Sequence, residues 1–201
     1  MYLHTKGAYA IYFGCSRNEI KQFIVYERIK VMKQNKPITN PMLLGTIELM
    51  KDSNTPEHRK MFLDELLCAH FLAPVVITPP PMPDENGQVQ LSPESKVQFP
   101  MLATKDGAHF FMAFTDWTEL RKWKDENGQQ TMALRFDDYA GMLLSKDKEG
   151  KTSPALGFVL NPYGANIVIT KEMIAKVLAN RAAKSGKQIP PSVTQNNKEV
   201  K

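Results

Sequence analysis

The residues best suited to nucleophilic or metal chemistry in this chain are Cys68, His70 and His109. Cys68 lies within an amphipathic stretch that is acidic, with Asp64 and Glu65 just before it. Thiolate reactivity needs an exposed, electropositive setting, so a buried structural thiol is expected there. His70 continues the apolar stripe of the same stretch and reads as a satisfied core histidine. His109 stands in a strand-like run, with no second ligand at the one-turn or short-loop spacing that zinc sites use, so no metal is assigned. The neighbouring carboxylates Asp137-Asp138 could suggest acid/base work, but two acids at a helix start more simply serve its unpaired N–H groups and dipole. Gly107, Gly157 and Gly164 are isolated, and no glycine-rich loop joins a strand to a helix as a phosphate cradle requires. No catalytic residue, metal ligand or cofactor is therefore assigned.

What remains is a set of polar and aromatic residues at expected strand ends. Thr115, Asp116 and Trp117 form one corner, and Asn161, Tyr163 and Asn166 belong to a turn further on. Such positions display binding groups from a rigid scaffold, and aromatic side chains dominate interaction hot spots. These six are the expected partner- or ligand-binding residues, with core packing the competing role for Trp117, Trp123, Phe111 and Tyr163.

The elements that must position them follow from local pattern. Met42, Leu43, Leu44, Ile47 and Met50 share one helical face ending at Asp52-Ser53-Asn54. Thr55 with Pro56 opens a second helix, whose stripe runs Phe62, Leu63, Leu66, Leu67, His70 and Phe71. Pro74 to Thr78 reads as a buried strand, and the proline-rich segment 79–96 as a long, mobile loop. Val97–Thr104 and Ala108–Thr115 form a hairpin about Lys105-Asp106-Gly107, and the second strand is apolar enough to be covered on both faces. Asp116 caps a helix with Glu119 three residues on, ending near Asn127-Gly128. Gln130–Arg135 is a strand, followed by a short helix from Asp137. Ala155–Leu160 and Asn166–Thr170 flank a type I turn at Asn161-Pro162-Tyr163-Gly164. Thr170 caps a last helix bearing Ile174, Val177, Leu178 and Arg181.

About five strands with four or five helices, joined by hairpins, predict an α+β fold with a mixed or antiparallel sheet. A chain of 201 residues with 42% hydrophobic and 23% charged content is long and apolar enough for one sizeable core. The domain is expected over 37–184, with 1–36 an N-terminal extension and 185–201 a disordered basic tail. The extension is open to a second reading, as a translated leader ahead of a start at Met32, because Glu27-Arg28 can be encoded by the purine-rich GAAAGG.

The net charge of +5 divides unevenly. Residues 1–36 carry seven Lys/Arg against Glu19 and Glu27, and 184–201 carry four Lys against Glu199, so the centre is acidic. A basic groove on the body is not supported, and nucleic acid is not expected as a partner. Two cysteines, far apart, suit a reducing compartment, and no run is long enough to cross a bilayer. Lys6 with Ala8–Gly14 before Cys15 is a poor export signal, short and interrupted by aromatics. A cytoplasmic protein without a membrane partner is expected.

Four stretches resemble one family. They are Phe62-Leu63-Asp64-Glu65-Leu66-Leu67; Phe99-Pro100-Met101-Leu102; Asp106-Gly107 with Phe110-Phe111-Met112-Ala113-Phe114-Thr115-Asp116-Trp117; and Gly157-Phe158-Val159-Leu160-Asn161-Pro162-Tyr163-Gly164. Together they resemble the N-terminal domain of bacterial SseB proteins over roughly 38 to 183. The resemblance implies a domain whose biochemical activity is unestablished, named for an enhanced serine-sensitivity phenotype, and here without the second domain some members carry. A non-enzymatic protein-interaction or regulatory module, with an unidentified protein partner, is the first expectation. The alternatives are an enzyme or metabolite-binding regulator in amino-acid or sulfur metabolism, and a secretion- or toxin-associated accessory protein.

Overall fold

The computed structural model describes residues 37–80, 94–125, 129–147 and 149–185, together with the strand at 9–15. The tail and most of the proline-rich segment, both expected to be mobile, lie outside the described residues. Five helices and eight strands are described. The helices are α1 (Pro41–Asp52), α2 (Pro56–Cys68), α3 (Trp117–Trp123), α4 (Phe136–Leu144) and α5 (Lys171–Ser185). The strands are β1 (Tyr9–Cys15), β2 (His70–Pro74), β3 (Val76–Thr78), β4 (Lys96–Ala103), β5 (His109–Ala113), β6 (Thr131–Arg135), β7 (Gly157–Leu160) and β8 (Ile167–Thr170). The fold is α+β.

Local chemistry starts the helices as the sequence predicts. Thr55 Oγ1 accepts from the His58 N–H at 3.1 Å with Pro56 at the first helical position, and Asp116 Oδ1 accepts from the Glu119 N–H at 3.0 Å. Before α4, Asp138 Oδ2 accepts the Arg135 N–H at 2.7 Å, while Asp137 pairs with Arg181 of α5. The second helix is shorter than its stripe suggests. It ends at Cys68, where Ala69 turns extended, and His70 and Phe71 belong to β2. The 3.6-residue stripe therefore stops before them: Phe71 is still buried, but His70 is exposed and is not a core histidine. Cys68, at the helix end, is exposed too, against the buried thiol expected. Likewise α3 stops at Trp123, short of Asn127-Gly128.

The main sheet runs β1-β4-β5-β7-β8, with β3 also on β4, and β2 and β6 form a second, two-stranded sheet. Every pair is antiparallel except β5 with β7. The hairpin between β4 and β5 closes on Gly107 at φ 82°, where the Thr104 N–H donates to the Ala108 carbonyl at 2.8 Å. Side chains of β5 alternate between two apolar clusters. Phe111 and Ala113 join Phe71, Leu134, Tyr139 and Phe158 on one face. Phe110, Met112 and Phe114 join Leu72, Leu120 and Val159 on the other. Both faces of this strand are covered, as its unbroken apolar run requires.

Pro100 lies inside this sheet, which demands a reason, since proline gives a strand no N–H to bond. Backbone direction alternates along a strand, and Thr104 bonds toward β5, so Pro100 turns its nitrogen the same way. By the Met101–Phe111 register, the residue facing it is Met112. The orphaned Met112 carbonyl accepts instead from the buried Tyr139 hydroxyl at 2.7 Å. Beyond this point β5 leaves β4. Phe114 exchanges both backbone bonds with Leu72 of β2, at 3.0 and 2.8 Å, and β3 takes the vacated edge of β4 at Lys96–Gln98. The proline marks where the sheet divides. The main sheet follows a path of five strands, as expected, with β3 added beside β4; the one strand expected at 74–78 is instead two, because the extended run at 70–78 pairs with two different sheets, and β1 lies in the N-terminal extension, where no strand was expected.

Candidate functional site

Parallel neighbours β5 and β7 end side by side, so the segments after them, 114–117 and 161–166, meet in space. Asn161 is the hinge of this meeting. Its N–H donates to the Ala113 carbonyl at 2.8 Å, and its own carbonyl accepts from Gly164 at 2.9 Å and Asn166 at 2.8 Å. It holds φ 48°, and Asn166 holds φ 52°, left-handed values that asparagine tolerates better than most residues. The Asn161 side chain then clamps the other segment: Oδ1 accepts the Thr115 N–H at 2.9 Å, and Nδ2 donates to Thr115 Oγ1 at 2.9 Å. Thr115 Oγ1 donates onward to Asp116 Oδ2 at 2.8 Å, and Asp116 Oδ1 caps α3. A third segment joins through Asn40, whose Nδ2 donates to the Thr115 carbonyl at 2.6 Å and the His70 carbonyl at 2.8 Å.

These bonds divide the six expected residues by role. Thr115 and Asn161 are fully buried and spend their polar atoms on each other, while Asn166 is buried in the turn. Their geometry suits positioning rather than direct contact with a partner. Asp116 is half-buried at the cap. Trp117 and Tyr163 are each 37% exposed and stand at the surface of the two segments. Partial burial raises the Tyr163 hydroxyl above the ordinary tyrosine range. Of the other aromatics considered, Phe111 is core, and Trp123 stacks on Phe114 at 6.2 Å and 24°.

Sequence reasoning missed Glu119 and Asn40. Glu119 reads locally as the partner of its own cap, but its side chain is only 15% exposed and reaches across to Gly164. One carboxylate oxygen pairs with Lys122 at 2.5 Å. The other is buried, with no hydrogen bond among the described residues, at the spot a Gly164 side chain would occupy. Gly164 thus lets α3 sit directly on the turn. The only available signal was the glycine itself, which a type I turn already explains. Asn40 precedes α1 as a helix cap would, yet its side chain makes no cap bond.

Among the described residues no three His, Cys, Asp or Glu side chains gather as metal ligands, and no helix is long and apolar enough to cross a membrane. A family model described as the SseB protein N-terminal domain matches residues 46–176. No curated protein and no solved structure matches the chain.

Proposed function

The chain belongs to the SseB family, and from that premise we propose that its domain is a non-enzymatic protein-interaction module working through the surface that carries Trp117 and Tyr163. The observation behind this reading is the division of labour at the site. The polar groups of Thr115, Asp116 and Asn161 bond within the chain, and two aromatic side chains remain partly open on a backbone those bonds make rigid. Rigid, half-buried aromatic anchors are what protein hot spots use, because little side-chain entropy is lost when a partner covers them. The partner is a protein of the same cytoplasm.

The experiment is affinity capture from native lysate with the wild-type chain and with Trp117→Ala, Tyr163→Ala and the double variant. Partners that depend on this surface should weaken about 30-fold or more on losing one anchor, since a hot-spot truncation costs about 2 kcal/mol. Melting temperatures should stay near wild type because neither ring is core. A partner retained at full strength by the double variant would refute the assignment of this surface.

A metabolite-binding reading has one observation in its favour: the unbonded Glu119 oxygen beside the turn at the carboxyl ends of β5 and β7. A ligand donating to that oxygen would raise the melting temperature by mass action. Thermal-shift panels of amino acids and their thio-analogues test it, and Glu119→Gln should abolish any shift.

A further inference from the structure

Strand β6 has one paired edge and one open edge. It lies in the two-stranded sheet and pairs with β2 alone. Which of its backbone groups look outward follows from β2. Leu72 exchanges both of its backbone bonds with Phe114, so Phe71 and Ala73 face β6, where they stand opposite Leu134 and Met132. The Val75 N–H continues the alternation, donating to the Gln130 carbonyl at 2.9 Å. Gln130, Met132 and Leu134 therefore bond inward, and Thr131, Ala133 and Arg135 carry the outward groups. Asp138 Oδ2 takes the Arg135 N–H at 2.7 Å. Among the described residues nothing bonds the N–H or the carbonyl of Thr131 or Ala133. These groups form a short template for an added strand.

Natural sheets guard such an edge with a solvated charge, a proline or a bulge. β6 has neither proline nor bulge, and its one charge, Arg135, is half-buried rather than solvated. Arg135 Nε is buried without an acceptor, and its guanidinium forms no ion pair among the described residues. A buried guanidinium N–H left without an acceptor is unfavourable, and a carboxylate satisfies it best, through charge-assisted and commonly bidentate bonds. The open backbone groups and the unpaired guanidinium thus share one strand of five residues. Met132 and Leu134 are buried in the core, so a neighbour's residues opposite them run along the rim of that core. Residues opposite Thr131, Ala133 and Arg135 lie on the more open face.

We propose that the outer edge of β6 accepts an extended segment of a protein partner, antiparallel to β6, with an Asp or Glu opposite Arg135. The segment spans about five residues, with β-branched apolar side chains opposite Met132 and Leu134. The backbone bonds supply affinity, and the carboxylate facing Arg135 fixes the register. This edge is separate from the surface carrying Trp117 and Tyr163, and the proposal does not rest on that surface.

The test is an NMR titration of the full chain with the synthetic peptide Glu-Val-Thr-Val-Thr, blocked at both ends, and with its counterpart Lys-Val-Thr-Val-Thr. As the glutamate peptide binds, the Thr131 and Ala133 amides should shift and their hydrogen exchange should slow, and the lysine peptide should bind about tenfold more weakly. Arg135→Glu should reverse that preference. Ala133→Pro removes an outward N–H that β2 does not use, so it should abolish binding while the melting temperature stays near wild type. Should either variant fail to fold, the wild-type amides decide. If Thr131 and Ala133 are protected as strongly as the inward Met132 amide before peptide is added, the edge is already covered and the proposal falls. It falls as well if the two peptides bind equally, if neither binds, or if β6 is found paired with β6 of a second copy.

Discussion

Replacing Tyr139 by phenylalanine isolates one atom on which the division of the main sheet depends. The ring is fully buried and stacks on Phe158 at 4.5 Å, with Phe71 edge-on at 6.3 Å. Phenylalanine keeps those contacts and opens no cavity larger than one oxygen. What is lost is the 2.7 Å bond to the Met112 carbonyl, which by register has only Pro100 in front of it. A buried carbonyl left without a donor costs about 1–3 kcal/mol. At a urea slope of about 2 kcal/mol/M, a loss of about 2 kcal/mol lowers the unfolding midpoint by about 1 M. The slope itself should not change.

Alkaline pH gives an independent check on the same atom. Burial, reinforced by the charge of Asp138, holds the Tyr139 hydroxyl well above the usual tyrosine range. Its folded pKa is thus above its unfolded one, so above about pH 10 the unfolded chain releases a proton that the folded chain keeps. That contribution is complete below pH 10 and falls as pH rises, so the gap between wild type and Tyr139→Phe should narrow from pH 10 upward. A Tyr139→Phe chain as stable as wild type at pH 7 would mean that the Met112 carbonyl finds another donor. The account of Pro100 would then be wrong.

Three further outcomes are expected. Asn161→Ala should lower stability by about 2–4 kcal/mol, since it removes two buried bonds to Thr115 and leaves a Cβ residue at φ 48°; Asn161→Gly should lower it less by urea titration, because glycine relieves the backbone term. Gly45→Ala, in the exposed middle of α1 with open space around its Cβ position, should raise the melting temperature through about 0.5–1 kcal/mol of helix propensity. Cys68 should react with a thiol reagent in the native protein without prior unfolding, and protection until unfolding would contradict its exposure.

Features written in adjacent residues were legible from the sequence. Thr55-Pro56 and Asp116 start their helices, Asp106-Gly107 turns the hairpin, and Asn161 to Gly164 closes a four-residue turn, because each needs only atoms a few bonds apart. The apolar run Phe110 to Phe114 likewise announces a strand with two covered faces, and with the resembling stretches this was enough for the α+β class and the family. The end of α2 was not legible. An apolar stripe continues through Phe71 whether that residue is helical or extended, and only pairing with β6 makes it a strand.

The site shows the same boundary. Its residue types were visible, but Thr115 and Asn161 are 46 positions apart, and nothing local says that the two side chains bond each other. Only the parallel register of β5 and β7 brings their ends together, which buries Thr115 and Asn161 and leaves Trp117 and Tyr163 partly exposed. Glu119, Asn40 and Tyr139 took their roles from distant partners for the same reason. A side chain's type limits the bonds it can make, whereas the tertiary fold decides which unpaired group it meets, because strand pairing joins residues with no local signal of their proximity.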